Sequence, residues 1–238
     1  MSLSTDPSRD FAKKAVGEAA ARLVEDGMTV GLGTGTTAAF FHEALAARIR
    51  DEGLKVIGVA TSGRAEDAAI RLGIPLAPLT PQSLPDLTID GADELTDSLQ
   101  LIKGGGGALL REKLVARASG EMVVIADASK RVSHLGAFPL PIVAVPFAVP
   151  TLLETLRREF EVAATWRTDH RGIPLLSDDG LAVLDLPFGI IRHPALLEER
   201  LRHVPGVVEI GLFLGIATRA LLAHDDGSVE EFHASGIG

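Results

Sequence analysis

Residues 28–37 read Met-Thr-Val-Gly-Leu-Gly-Thr-Gly-Thr-Thr, and Thr37 to Ile49 then repeats apolar side chains at helical spacing. Met28 to Leu32 is long enough for one buried strand, the Gly-Thr-Gly turn punctuates it, and the unit reads strand, glycine turn, helix. The alternation extends in both directions. Upstream, Phe11, Ala15, Val16, Ala19, Ala20, Leu23 and Val24 predict an amphipathic helix over Asp10 to Glu25, stopped by Gly27. Downstream, Val56 to Ala60, Leu87 to Ile89 and Glu121 to Ala126 read as strands, and Ala65 to Leu72 and Leu109 to Ala118 as helices. Strands buried as unbroken apolar runs and separated by helices predict an α/β fold: a mainly parallel sheet covered on both faces, with ligands at the carboxyl ends of its strands.

Prolines 139, 141, 146 and 150 change the texture of the chain, and hairpin-like punctuation follows at Ser177-Asp-Asp-Gly180 and Asp225-Asp-Gly227. Thr151 to Phe160 and Pro194 to Arg202 read as helices, and Leu181 to Leu186 and Val207 to Phe213 as strands. The expected division is a first domain over residues 1–138, completed by about 216–238, and a small α+β domain over 139–215.

Of the 238 residues, 46% are hydrophobic and 23% charged, which suits a globular chain. A net charge of −9 argues against nucleic-acid binding, which needs clustered Lys and Arg on phosphates. With no cysteine there is no thiolate metal site or thiol nucleophile, and a reducing compartment is the simple inference. Met1 to Arg9 lacks the apolar core of a signal peptide, and no run approaches a membrane span. The expectation is a soluble, cytoplasmic protein.

Several segments could carry chemistry. In Gly31-Leu-Gly-Thr-Gly-Thr-Thr37, small residues let backbone N–H groups reach an anion at a helix N-terminus, and Thr34, Thr36 and Thr37 add hydroxyls around Gly35. Lacking a Walker ending or full dinucleotide spacing, it suits one phosphate; a turn needed only for packing reads equally well. Asp90-Gly-Ala-Asp-Glu94 follows a strand and could face its carboxylates into one pocket, hold a metal, or cap a helix. Lys103 precedes four glycines, 104–107, whose backbone must lie close to something else, such as a substrate. Glu112 could project into the same cleft, although spacing alone favours an exposed position in the run Arg111-Glu-Lys113. Lys130, after Asp127-Ala-Ser, and Lys13 could bind an anion or sit at the surface. The seven histidines lack metal-ligand spacing, and Trp166 is read as packing.

These segments together resemble the type A ribose-5-phosphate isomerase family over nearly the whole chain. The resemblance is carried by Lys13-Lys-Ala-Val-Gly17, Gly31-Leu-Gly-Thr-Gly-Thr-Thr-Ala38, Asp90-Gly-Ala-Asp-Glu94, Leu101-Ile-Lys-Gly-Gly-Gly-Gly-Ala-Leu109, Arg111-Glu-Lys113, Ala126-Asp-Ala-Ser-Lys130, Leu135-Gly-Ala-Phe-Pro-Leu-Pro141, Pro205-Gly-Val-Val208 and Gly211-Leu-Phe213. It implies a Rossmann-like domain with a smaller, ferredoxin-like α+β domain, no metal or organic cofactor, and interconversion of ribose 5-phosphate and ribulose 5-phosphate through an enediolate. It assigns Glu112 as the base, Asp90 with Lys103 and Asp93 to ring opening, and Gly91, Ala92, Gly104, Gly105 and Gly106 to substrate contacts. Phosphate is expected on Thr34 to Thr37 with Lys13 as counter-charge, and Lys130 on a hydroxyl or the phosphate. A homodimer is expected, with a homotetramer as the alternative. The chain departs from the family at Thr36, usually serine; at Ala65, usually threonine, where a polar contact or helix cap is expected to be lost; and at Ser177 to Leu181. A non-catalytic sugar-phosphate sensor is the rival reading from another class, and it expects the base to be missing.

Overall fold

The computed structural model describes residues 7–234, so the ends at 1–6 and 235–238, with the signal-peptide reading placed on the first of them, lie outside the described residues. In chain order the main elements are α1 (Pro7–Ala21), β1 (Thr29–Leu32), α2 (Thr36–Glu52), β2 (Ile57–Ala60), α3 (Gly63–Leu72), β3 (Leu87–Asp90), β4 (Glu94–Leu95), β5 (Leu101–Ile102), α4 (Leu109–Ala118) and β6 (Glu121–Asp127). There follow β7 (Leu140–Ala144), α5 (Val149–Phe160), β8 (Thr165–Trp166), β9 (Ala182–Leu186), α6 (Pro194–Arg202), β10 (Val207–Ile210), β11 (Leu212–Phe213), β12 (Arg219–Ala223) and β13 (Val229–His233). None of the described helices is long and apolar enough to cross a membrane.

Six strands form the main sheet in the order β13-β12-β6-β3-β1-β2, parallel except for β13. The two-residue period of a strand divides its side chains between two cores. Val123 and Ile125 of β6 and Leu221 of β12 join Val16 and Ala20 of α1 and Phe41 and Leu45 of α2 on one face. Met122, Val124, Ala126, Ala220 and Leu222 point the other way, against Leu95, Leu101, Ala116 and Phe213. The tail, whose pairing the sequence leaves open, supplies β12 parallel to β6 and β13 as an antiparallel edge.

A second sheet, antiparallel throughout, has the order β10-β7-β9-β8, with α5 and α6 as its crossovers: the split β-α-β arrangement of a ferredoxin-like unit. Leu140, Ile142, Leu184 and Leu186 pack on Leu152, Leu156 and Leu201, while Val143 and Val183 turn to the opposite face and meet Leu109 of α4. Helix α4 therefore has one end in each core, and Glu112 lies between them.

Three details differ from the sequence reading. Val207 to Phe213 is two strands in two sheets: the Gly211 N–H donates to the Pro141 carbonyl at 2.7 Å, its carbonyl accepts from the Lys103 N–H at 2.9 Å, and β11 pairs with β5, which pairs in turn with β4 to make a three-stranded sheet. A Cβ at Gly211 would lie 2.3 Å from the Lys103 carbonyl, so this crossing needs glycine. That small sheet, rather than helices alone, covers the second face of the main sheet. Helix α1 stops at Ala21, before Glu25, because Arg48 reaches across from α2 and caps the carbonyls of Ala21 and Val24 at 2.5 and 2.7 Å.

Candidate active site

The phosphate-loop candidate leaves β1 at its carboxyl end. The Gly33 N–H donates to the Ile89 carbonyl at 2.9 Å, and a Cβ there would fall 2.3 Å from Asp90 Oδ1. Gly35 has φ of +123°, open to glycine without strain, and it turns the chain into the first residue of α2. The loop thus presents the N-terminus of a 17-residue helix to a cleft, where free N–H groups and the helix dipole favour an anion. The Thr34 hydroxyl, expected to serve that anion, is bonded to Thr61 at 2.8 Å and Ser62 at 2.7 Å. The Ser62 oxygen also accepts the Ala65 N–H at 3.0 Å, so the expected loss of a cap at Ala65 does not occur and α3 keeps its N-cap.

Asp90, Lys103 and Glu112 come together from β3, from the residue after β5, and from α4. All three are buried. Lys103 Nζ lies 3.0 Å from Asp90 Oδ2 and 3.5 Å from Glu112 Oε2, donates to the Gly91 carbonyl at 2.5 Å, and sits 5.5 Å from the centre of the Phe213 ring. Asp90 Oδ1 accepts the N–H groups of Thr34 and Gly91, at 2.9 and 2.8 Å. Asp90 Oδ2 and Glu112 Oε2 have no aligned hydrogen bond among the described residues. Burial pushes the Glu112 carboxyl up to about 8; Lys103 opposes this, and Asp90 and Asp93 reinforce it. Burial works against the Lys103 charge too, but Asp90 and Glu112 outweigh it and hold the ammonium above the ordinary lysine value. The result is one fixed cation between two buried carboxyl groups, each with one oxygen turned to the ammonium.

In the same cleft, the glycines after Lys103 are held largely by side chains. Asp93 accepts the Gly105 N–H at 2.7 Å, and the Gly107 N–H closes a turn on the Gly104 carbonyl at 2.9 Å. Arg167, just beyond β8, donates to the carbonyls of Gly104 and Gly105, both at 2.9 Å, and Arg64 donates to that of Gly106. The close neighbour inferred for this backbone therefore includes the protein itself: a Cβ on Gly105 would lie 2.4 Å from Asp93 Oδ1.

A cavity of about 240 Å³ gathers Lys13, Thr34, Gly35, Thr36, Thr37, Gly91, Ala92, Asp93, Lys103, Gly104, Gly105, Gly106, Glu112 and Lys130. Asp90 lies beneath this surface, reached through Lys103. Asp127 and Ser129 also line it; sequence reasoning singled out Lys130 alone in that turn, although Asp127 stands at a strand's carboxyl end. Arg64 and Arg167 had no sequence signal tying them to the glycines. The last acid of the Asp90 to Glu94 cluster points away from the cleft chemistry. Glu94 accepts the N–H groups of Gly136 and Phe138, both at 2.6 Å, and so straps the chain leading to β7. The run Arg111-Glu112-Lys113, which spacing favours as exposed, sends its residues three ways. Arg111 pairs with Asp179 at 2.7 Å, Glu112 enters the cleft, and Lys113 is buried against Glu209 at 2.8 Å and the Ile210 carbonyl at 2.6 Å.

The family model described as ribose 5-phosphate isomerase A (phosphoriboisomerase A) matches residues 57–227. A ribose-5-phosphate isomerase A of Synechococcus sp. is 51% identical over 222 residues, covering 92% of this chain and 96% of that protein. Among solved structures, ribose 5-phosphate isomerase A of Methanocaldococcus jannaschii superposes with a TM-score of 0.88 at 38% identity, covering 93% of this chain and 98% of that one. A D-ribose-5-phosphate isomerase in complex with phospho-erythronic acid superposes at 0.89 with 34% identity, covering 93% of this chain and 97% of the other.

Proposed function

The chain belongs to the ribose 5-phosphate isomerase A family, and from that premise we propose that it interconverts D-ribose 5-phosphate and D-ribulose 5-phosphate, with Glu112 as the base. The observation that carries the mechanism is the position of Glu112: a largely buried carboxyl group beside the Lys103 ammonium that lines the same cleft as the N-terminus of α2.

Aldose and ketose differ in the place of two hydrogens: one moves from carbon 2 to carbon 1, and one from the oxygen on carbon 2 to the oxygen on carbon 1. One carboxylate can take the first from carbon 2 and return it to carbon 1, while the second passes between the two oxygens of the enediolate, which must be stabilised meanwhile. A raised pKa makes the ionised Glu112 a stronger base and lets it hold the proton between the two transfers. Lys103 and the glycine N–H groups supply charge and donors for the enediolate oxygens. Ring opening needs a proton removed from the sugar's hydroxyl and another given to its ring oxygen, and Asp90 with Lys103, aided by Asp93, suits that exchange. The phosphate is placed on residues 34–37 with Lys13 beside it, and Lys130 on a hydroxyl or the phosphate. The reading needs no metal or organic cofactor, and includes a homodimer or homotetramer in the cytoplasm.

The test is isomerisation of ribose 5-phosphate with chelator present, by wild type and Glu112→Gln. Turnover by wild type that falls by about a thousandfold or more in the variant, the scale of a lost general base, supports both substrate and base. An inactive wild type overturns the substrate, and an unimpaired variant overturns the base. The pH profile adds a sign: kcat/KM should rise through about 8 as Glu112 ionises in the free enzyme.

A further inference from the structure

We infer that Arg167, on the ferredoxin-like unit, is a positioning residue that aims the Gly106 N–H into the cleft as a donor for the enediolate oxygen. The inference rests on the isomerase reading for the identity of that oxygen and on geometry for the rest.

Every described peptide bond is trans. In a trans peptide the carbonyl of one residue and the N–H of the next point in opposite directions, so fixing one fixes the other. Arg167 grips the Gly104 and Gly105 carbonyls with a single nitrogen, Nη1, at 2.9 Å to each. Holding the first turns the Gly105 N–H away from Arg167, onto Asp93. Holding the second turns the Gly106 N–H the same way, and this amide has no hydrogen-bond partner among the described residues. Gly106 lines the cavity together with Glu112 and Lys103. The unpaired donor and the base thus serve one space.

The grip is itself braced. Arg167 Nε and Nη2 engage both oxygens of Asp185 on β9, at 2.8 and 2.5 Å, in the two-pronged geometry that only a guanidinium offers a carboxylate. The arginine's own N–H bonds to the Val183 carbonyl at 2.9 Å, and its carbonyl accepts the Leu175 N–H at 2.8 Å. Glycine peptides rotate with little steric resistance, so a loop of four can turn over unless something outside it chooses the orientation. An oxyanion donor is effective when it is already aimed before charge develops.

The experiment compares wild type, Arg167→Met, Arg167→Lys and Asp185→Asn. In each, kcat and KM for ribose 5-phosphate are measured, together with affinity for phospho-erythronic acid, affinity for inorganic phosphate, and Tm. Arg167→Met should lower kcat by roughly 10- to 100-fold, somewhat less than deleting an oxyanion donor outright, with KM changed less than about threefold. Affinity for phospho-erythronic acid, whose carboxylate stands in for enediolate charge, should fall with kcat while phosphate affinity holds. Arg167→Lys, which can reach a carbonyl but loses the fork on Asp185, should recover part of the loss, and Asp185→Asn should lose less than Arg167→Met. The role is overturned if folded Arg167→Met keeps kcat within twofold, or if kcat, phosphate affinity and Tm all fall together, as loss of general support requires. Should Arg167→Met fail to fold, the lysine and Asp185→Asn variants decide by the same criteria. Wild-type turnover tests the isomerase reading alone, and the binding measurements need no turnover, so the two fail separately.

Discussion

Two glycine-containing loops line the cleft, and they keep their shapes by different means. The first, Gly33 to Thr37, is shaped by its neighbours in sequence: a strand ends, a glycine at positive φ turns the chain, and α2 begins. Its external ties run to Ile89 and Asp90 at the end of the adjacent strand and to the Thr61 and Ser62 hydroxyls just beyond β2. The second, Gly104 to Gly107, is set by Asp93, Arg64 and Arg167, which lie 12, 42 and 62 residues from the glycines they hold. A loop of the first kind carries its function locally. One of the second kind is only as well aimed as the distant side chains that grip it.

The largest way to disturb this pair is at the root they share, Lys103, which is ion-paired to Asp90 behind the first loop and begins the second. Lys103→Met leaves Asp90 and Glu112 buried without their cation. Turnover should fall by at least two to three orders of magnitude, and unfolding free energy by a few kcal/mol, the scale of breaking a buried pair from one side. Kinetics and urea unfolding read the two effects, and full stability in the variant would refute the claim that the cation offsets two buried carboxylates.

Steric tests then separate the loops. A methyl at Gly33 would meet main chain, the Ile89 carbonyl and Asp90 Cα both at 2.5 Å, so Gly33→Ala should cost about 1–3 kcal/mol or more, as overpacking does. At Gly105 the obstacle is the Asp93 carboxylate, the end of a side chain that can rotate. Gly105→Ala should therefore lose less than about 1 kcal/mol while disturbing catalysis, because the Asp93 bond to the loop gives way. Equal losses from both would erase the distinction.

This difference also governs what could be read from the sequence. The strand-turn-helix around Gly35 is legible because its causes are contiguous, and so are the alternating elements that build the main sheet. The split of Val207 to Phe213 between two sheets was not legible, because its cause is a crossing of Gly211 over Lys103 and Pro141 that no local pattern records. Spacing alone pointed the wrong way for Glu112: the charged run looks solvated, and only the packing of α4 between two cores buries it. Family resemblance placed Glu112, Asp90 and Lys103 together, but it was silent on Arg167, whose arginine is unremarkable until Asp185 and the glycine carbonyls surround it.

Glu112 also links the second loop to stability. Its carboxyl ordinarily titrates near 4.5 and is raised to about 8 in the fold. A carboxyl raised by folding contributes its stability fully below pH 4.5 and loses it as pH climbs through about 8. Wild type should therefore lose stability over that interval relative to Glu112→Gln, by up to a few kcal/mol at 1.36 kcal/mol per pKa unit. Urea unfolding of both proteins at pH 5 and pH 8 provides the check, and parallel curves would deny the burial of an ionisable group.

The smallest expected effect sharpens the comparison within the second loop. Arg64 and Arg167 both donate to glycine carbonyls, yet Arg64 is exposed and holds a peptide that is already fixed: the N–H paired with the Gly106 carbonyl is that of Gly107, bonded to Gly104 at 2.9 Å. Arg167 is more buried, braced by Asp185, and holds the peptide whose N–H is otherwise free. An exposed, redundant bond contributes little once water competes for both ends. Arg64→Met should therefore change kcat by less than about threefold, against roughly 10- to 100-fold for Arg167→Met. Equal losses would mean that the glycine loop is aimed by its whole rim of cations, and the special position of the Gly105–Gly106 peptide would have to be given up.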